Sequence, residues 1–252
     1  ILRGLVGSEM CIRDRSTTKY GKVLRIDQHA IQNYVLLDFI LDTGNAAGQN
    51  MVTLATNVAC EYIRQETGHK FFLDSNLASD KKASSRNMIL GRGHGVIAET
   101  HISKSVMSRV LNVDPDFVIE NWTYFPIVSA MAGTLGNAIH ASNALTAIYL
   151  ATGQDTACVA ENSVGHFTVE KVDDGITWRL TLPSMTVGTV GGGTRLNQQQ
   201  QNLKLLGCDS GEHSSRKLAE IIAAAALGLE ISLGSAIMSH TWTSAHMKYG
   251  RK

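Results

Sequence analysis

The chain has 252 residues, 44% of them hydrophobic and 18% charged, with a formal net charge of +1. These values describe an ordinary globular protein, long enough for one large domain or two smaller ones. They exclude a dedicated nucleic-acid surface, since no Lys/Arg run with interleaved aromatics occurs. Three prolines and the lack of a Ser/Gly-rich tract mark no linker. Cys60, Cys158 and Cys208 lie far apart and form no C-x-x-C, which argues against a disulfide scaffold or a zinc site and fits a reducing, cytoplasmic compartment.

The opening ILRGLVGSEMCIRDRS shows neither strand nor helix period and lacks the apolar core of a signal peptide. LVGSEMCIRD (5–14) resembles the translation of a transposase adapter used in sequencing-library preparation. Residues 1–15 are therefore set apart from the fold as an artefact, and an N-terminally truncated chain is expected. Residues 20–44 hold strand-like pieces, of which NYVLLDFIL is the clearest. After the TGN punctuation, residues 46–68 read as a helix, with Met51, Leu54, Val58 and Tyr62 at helical spacing and Gly68 as its C-cap. The start of that helix lies in TGNAAGQN, where unpaired N–H groups suit an anion.

A polar loop (74–85) precedes a strand at 93–102. Residues 133–155 read as a second helix ending at Gly153. ITWRLTL reads as a strand leading into GTVGGGT (188–194), and a third helix runs from near Ser214 through IIAAAALGLEISLGSAIM (221–238) towards His246. That apolar stretch carries Glu230 and is mostly alanine, so it reads as a buried helix and not a membrane span. Strands and helices mixed without regular alternation predict an α+β fold.

GTVGGGT follows a strand, as phosphate-cradling loops do. It fails G-x-G-x-x-G, because Val190 stands at the third position and Leu196 at the sixth when counted from Gly191. It fails the P-loop as well, because Thr194 replaces the lysine. A tight strand-to-helix turn without a ligand accounts for the spacing equally well. The other chemistry-bearing residues are individually bland: SDKK (79–82) as a solvated charge run, His140 and Asn143 as one polar helix face, His246 as a helix-end cation. No H-E-x-x-H, Cys/His cluster or G-x-S-x-G is present, and no metal is expected.

Taken in order, TGNAAGQNM, SDKK, HASNALTAIYLATGQD, PSMTVGTVGGGTRLNQQQ and SAHMKY resemble the catalytic domain of the 3-hydroxy-3-methylglutaryl-coenzyme A (HMG-CoA) reductase family, over about residues 20–251. D-K-K and the full GTVGGGT resemble its class I branch. The resemblance implies an α+β fold in which part of a ferredoxin-like, cofactor-binding small domain (16–73) joins a larger helix-rich α+β substrate domain (74–252). It further implies homo-oligomers, dimeric or higher, that share each active site.

By the same resemblance, Lys81 stabilises the oxyanion, Asp155 tunes Lys81, and His246 protonates the departing coenzyme A thiolate. Asp80, Lys82, Asn76, His140 and Asn143 contact HMG-CoA. Asn45, Ala46, Gly48, Gln49 and Asn50, with Gly188, Thr189, Gly191, Gly192, Gly193 and Thr194, line NADPH. The chain departs from the family pattern in four places. Asn45 stands where aspartate is usual, Asp74-Ser75-Asn76 replaces S-G-N, and the chain ends YGRK where eukaryotic members carry a phosphoserine motif. Residues 1–45 contain no E-G-C-L-type segment with the family's catalytic glutamate. A non-catalytic relative that binds nucleotide or assembles with a partner chain is the alternative, and an ATP-binding enzyme is a third.

Overall fold

The structure, a computed structural model, describes residues 21–250. The segment 1–15 lies outside the described residues, as does the end of YGRK. Strands β1 (Lys22–Ile31) and β2 (Tyr34–Asp42) form an antiparallel hairpin in which Ile31 faces Tyr34. Its two-residue connection places Gln32 at φ 53°, as such a turn requires.

Helix α1 (Gln49–Thr67) runs between Gly48 and Gly68, both left-handed. It confirms the expected helix and its C-cap, with a start three residues later. Its buried side chains are Ala55, Cys60 and Tyr62, whereas Leu54, placed on the apolar face by spacing, is 59% exposed. An ion pair between Arg86 and Asp38 ties the hairpin to the next unit.

After α2 (Ser85–Leu90), β3 (His94–Ser103) pairs with β5 (Gly175–Met185), which also pairs with β4 (His166–Val172). The resulting antiparallel sheet has the order β3-β5-β4, with β5 buried at its centre. Between β3 and β4 lie two short turns (Lys104–Val106 and Met107–Leu111), α3 (Pro115–Trp122), α4 (Phe125–Met131) and α5 (Ala141–Thr152). Beyond β5 follow α6 (Asn197–Leu205), α7 (Ser214–Met238) and α8 (Thr241–Tyr249).

The core forms where α7 packs on β3, β5 and α5. Ala219, Ala223 and Ala226 are fully buried there, and such small side chains let helix and sheet backbones approach closely. Trp122, Phe167 and Trp178 form an aromatic cluster beneath α3, with Trp122 edge-on to Phe167 at 4.8 Å. Among the described residues α7 alone is long and apolar enough to cross a membrane, yet half of its apolar window is buried inside the fold and Glu230 is fully enclosed.

Two expected boundaries are corrected. The second helix begins at Ala141, not near 133, because the preceding residues make other bonds. Asn137 exchanges side-chain hydrogen bonds with the Phe167 backbone at 2.8 Å each way. Gly136 (φ 78°) lies so close to Gly165 that a Cβ would fall 2.3 Å from its carbonyl oxygen. The third helix does not run unbroken towards His246; it ends at Met238, and His240, at φ 58°, turns the chain into α8.

Candidate functional site

The loop before α2 is built from unusual backbone. Asp74, Asn76, Ser79 and Lys81 all have φ between 55° and 65°, a region that costs non-glycine residues energy unless neighbours enforce it. The enforcing contacts converge on Lys81 and Asp80. The Lys81 ammonium lies 2.9 Å from Asp155 Oδ2, and the Lys81 backbone N–H donates to Glu161 Oε2 at 2.9 Å. Arg92 pairs with Asp80 through one terminal nitrogen and with Glu161 through the other, both at 2.8 Å. Gln49, at the first position of α1, donates to Cys158 Sγ at 3.0 Å and reaches Asp80 at 3.5 Å. Lys82 turns its ammonium back to the Asp80 carbonyl, and Asn76 accepts from the Ser79 N–H.

These contacts set the charge states. The hydrogen bond to Asp155, followed by that carboxylate's charge, holds the Lys81 ammonium above its ordinary value. Burial pushes Asp155 up, but the hydrogen bonds from Lys81 and the Ala157 N–H, with the lysine charge, outweigh it, and the carboxyl sits below its ordinary value. Burial raises Glu161, and Arg92 offsets only part of that rise. The site therefore presents a cation anchored to an anion at a partly exposed surface, which can polarise a carbonyl oxygen. Asp80, Cys158 and Glu161 could each offer a metal ligand atom within 4.8 Å of one another. Arg92 already pairs with both carboxylates, so a metal cation there would meet the guanidinium's repulsion.

The segment Gly153–Gln154–Asp155, which leaves α5, links this loop to the glycine-rich one. A Cβ on Gly153 (φ 72°) would fall 2.4 Å from the Gly193 carbonyl carbon, so the two backbones are in contact. Buried Gln154 accepts from the Gly188 N–H at 2.9 Å and donates to the Gly188 carbonyl at 2.8 Å. Asp155 then meets Lys81. Gly188 also packs on the segment 45–47, where a Cβ would strike Ala47 N at 2.3 Å and where Ala46 bridges to Val190. Gly191 and Gly192 have φ of 83° and 52° and face open space. Beside them lies a groove of about 620 Å³, lined in part by Thr189, Gly191, Thr194, Arg195 and Lys204. Open backbone at positive φ next to two cationic side chains fits a phosphate-bearing cofactor.

The remaining expected residues are placed as follows. Asn45 directs its side chain to the start of α7: Oδ1 accepts from the Ser215 N–H (3.1 Å) and Oγ (3.0 Å), and Nδ2 donates to the Gly211 carbonyl (3.0 Å). Aspartate could make the first two bonds but not the third, which accounts for the neutral residue. Thr189 bonds Ser214 Oγ at 2.6 Å and donates its N–H to the Asn45 carbonyl. Gly48 precedes α1, Asn50 is exposed on it, and Thr194 closes a turn onto the Gly191 carbonyl.

His140 and Asn143 meet at the first turn of α5, where Asn143 donates its N–H to the His140 carbonyl and His140 Nδ1 is buried without a partner. His246 stays within α8, with Nδ1 2.8 Å from the Trp242 carbonyl oxygen and its ring edge-on to Trp242. No hydrogen bond or ion pair among the described residues joins it to Lys81 or Asp155.

Sequence reasoning missed Glu161, Arg92 and the role of Gln154. It also missed Glu230, whose carboxylate accepts from the N–H groups of Ile139, His140 and Ala141 at 2.7–3.0 Å and so caps α5. One signal was available for Glu230, a lone carboxylate inside an apolar helix. Glu161 and Arg92 left no comparable mark.

The sequence matches the hydroxymethylglutaryl-coenzyme A reductase family over residues 8–251. It is similar to the 3-hydroxy-3-methylglutaryl-coenzyme A reductases of Methanocaldococcus jannaschii, at 38% identity over 94% of this chain and 60% of that protein, and of Aeropyrum pernix, at 40% over 93% and 58%. The chain thus spans about three-fifths of the length of these curated relatives. Its fold matches that of the class II 3-hydroxy-3-methylglutaryl-CoA reductase from Streptococcus pneumoniae bound to NADPH in open conformations. That match has a TM-score of 0.70 at 18% identity and covers 96% of this chain and 60% of that one.

Proposed function

Since the chain belongs to the hydroxymethylglutaryl-coenzyme A reductase family, we propose that it carries the oxyanion-stabilising and cofactor-contacting part of a reductase converting HMG-CoA and two NADPH, with two protons, to mevalonate, free coenzyme A and two NADP. The observation that carries this reading is the Lys81–Asp155 pair at 2.9 Å, joined through Gln154 to the glycine-rich loop. It brings a poised cation and a phosphate-compatible loop onto one short segment.

In this reading residues 16–73 are the later part of the cofactor-binding small domain and 74–252 the substrate domain. The protein works as a homo-oligomer whose subunits share active sites. The dinucleotide, when bound, supplies the reducing equivalents. Gly188, Thr189, Gly191, Gly192, Gly193 and Thr194, with the 45–50 segment, would hold it, and the solved Streptococcus relative is an NADPH complex. Lys81 holds the thioester oxygen, and its ammonium meets the negative charge that grows there as the carbonyl carbon becomes tetrahedral. Asp155 keeps that ammonium charged and aimed. Lys82 and Asp80 flank the position of the substrate's carboxylate, with Asn76, His140 and Asn143 orienting the acyl part. His246 is the acid for the coenzyme A thiolate, a task that suits imidazole near neutrality.

The test is NADPH consumption coupled to release of free thiol from HMG-CoA, in this chain joined to the N-terminal part of a curated relative. We expect Lys81→Met to lower kcat by about 100-fold or more, the scale on which removal of an oxyanion donor acts. Binding of ATP in place of NADPH, or thiol release untouched by Lys81→Met, would overturn the proposal. NADPH binding with no turnover in the joined protein would instead make the chain a non-catalytic, nucleotide-binding relative.

A further inference from the structure

Glu161 is the least exposed charged group near the candidate site, with no solvent-accessible side-chain surface. Ionised carboxylates are buried only where several donors face them, and Glu161 has four such contacts. Arg92 Nη1 reaches both oxygens (3.1 and 2.8 Å), Asn87 Nδ2 reaches Oε1 (3.0 Å) and the Lys81 N–H reaches Oε2 (2.9 Å). The short turn bearing Glu161 is itself fixed to the core. The neighbouring Asn162 Oδ1 accepts from Tyr149 Oη at 2.7 Å and from Thr186 N and Oγ1 at 3.2 and 2.9 Å. Asn87 is tied to β5 through Ser184, whose hydroxyl donates to the Asn87 carbonyl at 2.9 Å. Glu161 therefore sits at a rigid point, and the strained loop hangs from it by one backbone N–H and by the Arg92 bridge to Asp80.

We propose that Glu161 is a positioning residue for the lysine loop: through the Lys81 N–H and the Arg92 fork to Asp80, it holds Lys81 in its left-handed conformation so that the ammonium faces Asp155. The proposal rests on the reading of Lys81 given above, but it is a separate statement about geometry. Lys81 at φ 61° is not the conformation a free loop would choose, and without the anchored N–H the residue relaxes to negative φ and swings its side chain away. A guanidinium is needed at Arg92 because one group must meet two carboxylates at once through different nitrogens, which an ammonium cannot do with the same geometry.

The experiment follows Lys81 directly. The protein is reductively methylated with ¹³C-formaldehyde, the Lys81 resonance is assigned with Lys81→Arg, and its titration is recorded in the parent, Glu161→Gln, Glu161→Asp and Asp155→Asn. Lys81 is faced by the carboxylates of Asp155 and Asp80 and the thiol of Cys158. The parent titrates above the ordinary lysine value. Glu161→Gln, which keeps the shape but not the charge, moves the midpoint down by roughly half a pH unit or more, in the direction of Asp155→Asn. Glu161→Asp restores part of the shift.

NADPH affinity stays within about two-fold of the parent, since Gln154 and not Glu161 holds the glycine loop. Where Glu161→Gln does not fold, Arg92→Lys, which breaks the fork but keeps the charge, makes the same test. A folded Glu161→Gln or Arg92→Lys protein with the parent's Lys81 titration overturns the proposal. Activity retained in Lys81→Met, together with a Lys81 resonance that Glu161→Gln shifts in the protein that keeps Lys81, overturns the catalytic reading and leaves the positioning role standing.

Discussion

At the scale of single residues, the Lys81–Asp155 pair makes a prediction about pH. Asp155 is depressed in the folded protein, so its contribution to stability is present above its ordinary value of 3.8 and is lost as the pH falls through the folded value. Lys81 is raised, so its contribution is complete below its ordinary 10.5 and is lost as the pH rises through the folded value. The pair thus acts across the whole neutral range. Thermal unfolding of the parent and Asp155→Asn is expected to show a gap in Tm that is constant between about pH 5 and 9 and closes below about pH 4. A gap that persists unchanged in acid would mean that Asp155 acts through its Ala157 cap and not through the lysine. The neutral Asn45 belongs to this scale as well: its amide both accepts and donates at the start of α7, which a carboxylate cannot do.

At the scale of elements, α5 starts where Glu230 permits. The helix has no side-chain cap of its own at His140, and three N–H groups that would otherwise be unpaired converge on one buried carboxylate from α7. Glu230→Ala is expected to cost on the order of 3 kcal/mol, because several donors lose their acceptor inside the fold. Denaturant titration would show it as a lower midpoint with an unchanged slope. Glu230→Gln should recover part of the loss, as its amide oxygen still accepts.

This cap also shows what the sequence could not express. Gly153 as the end of α5 and Gly68 as the end of α1 were legible, because a left-handed stop demands glycine locally. The start of α5 was not, because its acceptor lies 90 residues away from His140 in the chain. Likewise D-K-K and G-Q-D were legible as motifs, whereas Arg92 and Glu161 become partners only after folding. Strand β4, with its mixed polar pattern, gave no periodic signal comparable to that of β5.

For the molecule as a whole, burial is uneven. The β3-β5-β4 sheet and α7 hold most of the fully enclosed side chains, whereas β1, β2 and α1 bury only Ala55, Cys60 and Tyr62. Leu24, Ile31, Tyr34, Val35 and Leu54 are each more than half exposed on those first elements. Amide hydrogen exchange should therefore separate the chain into two classes, with the β1–β2 hairpin exchanging far faster than β5 under the same conditions. Equal protection in both sheets would show that the hairpin's exposed apolar residues are covered in solution. These exposed apolar side chains predict surface-driven association at high protein concentration.

Gly153–Gln154–Asp155 has a consequence for recombination. Each of its three successive residues meets a different neighbour, so the segment has no slack in length or in order. Adding or deleting one residue there would misplace the glycine loop and the lysine partner together, and no nearby joint could absorb the error. Chimaeras between this chain and a relative should therefore keep residues 141–194 from a single parent. Their crossovers belong outside that span, where the backbone meets fewer demands.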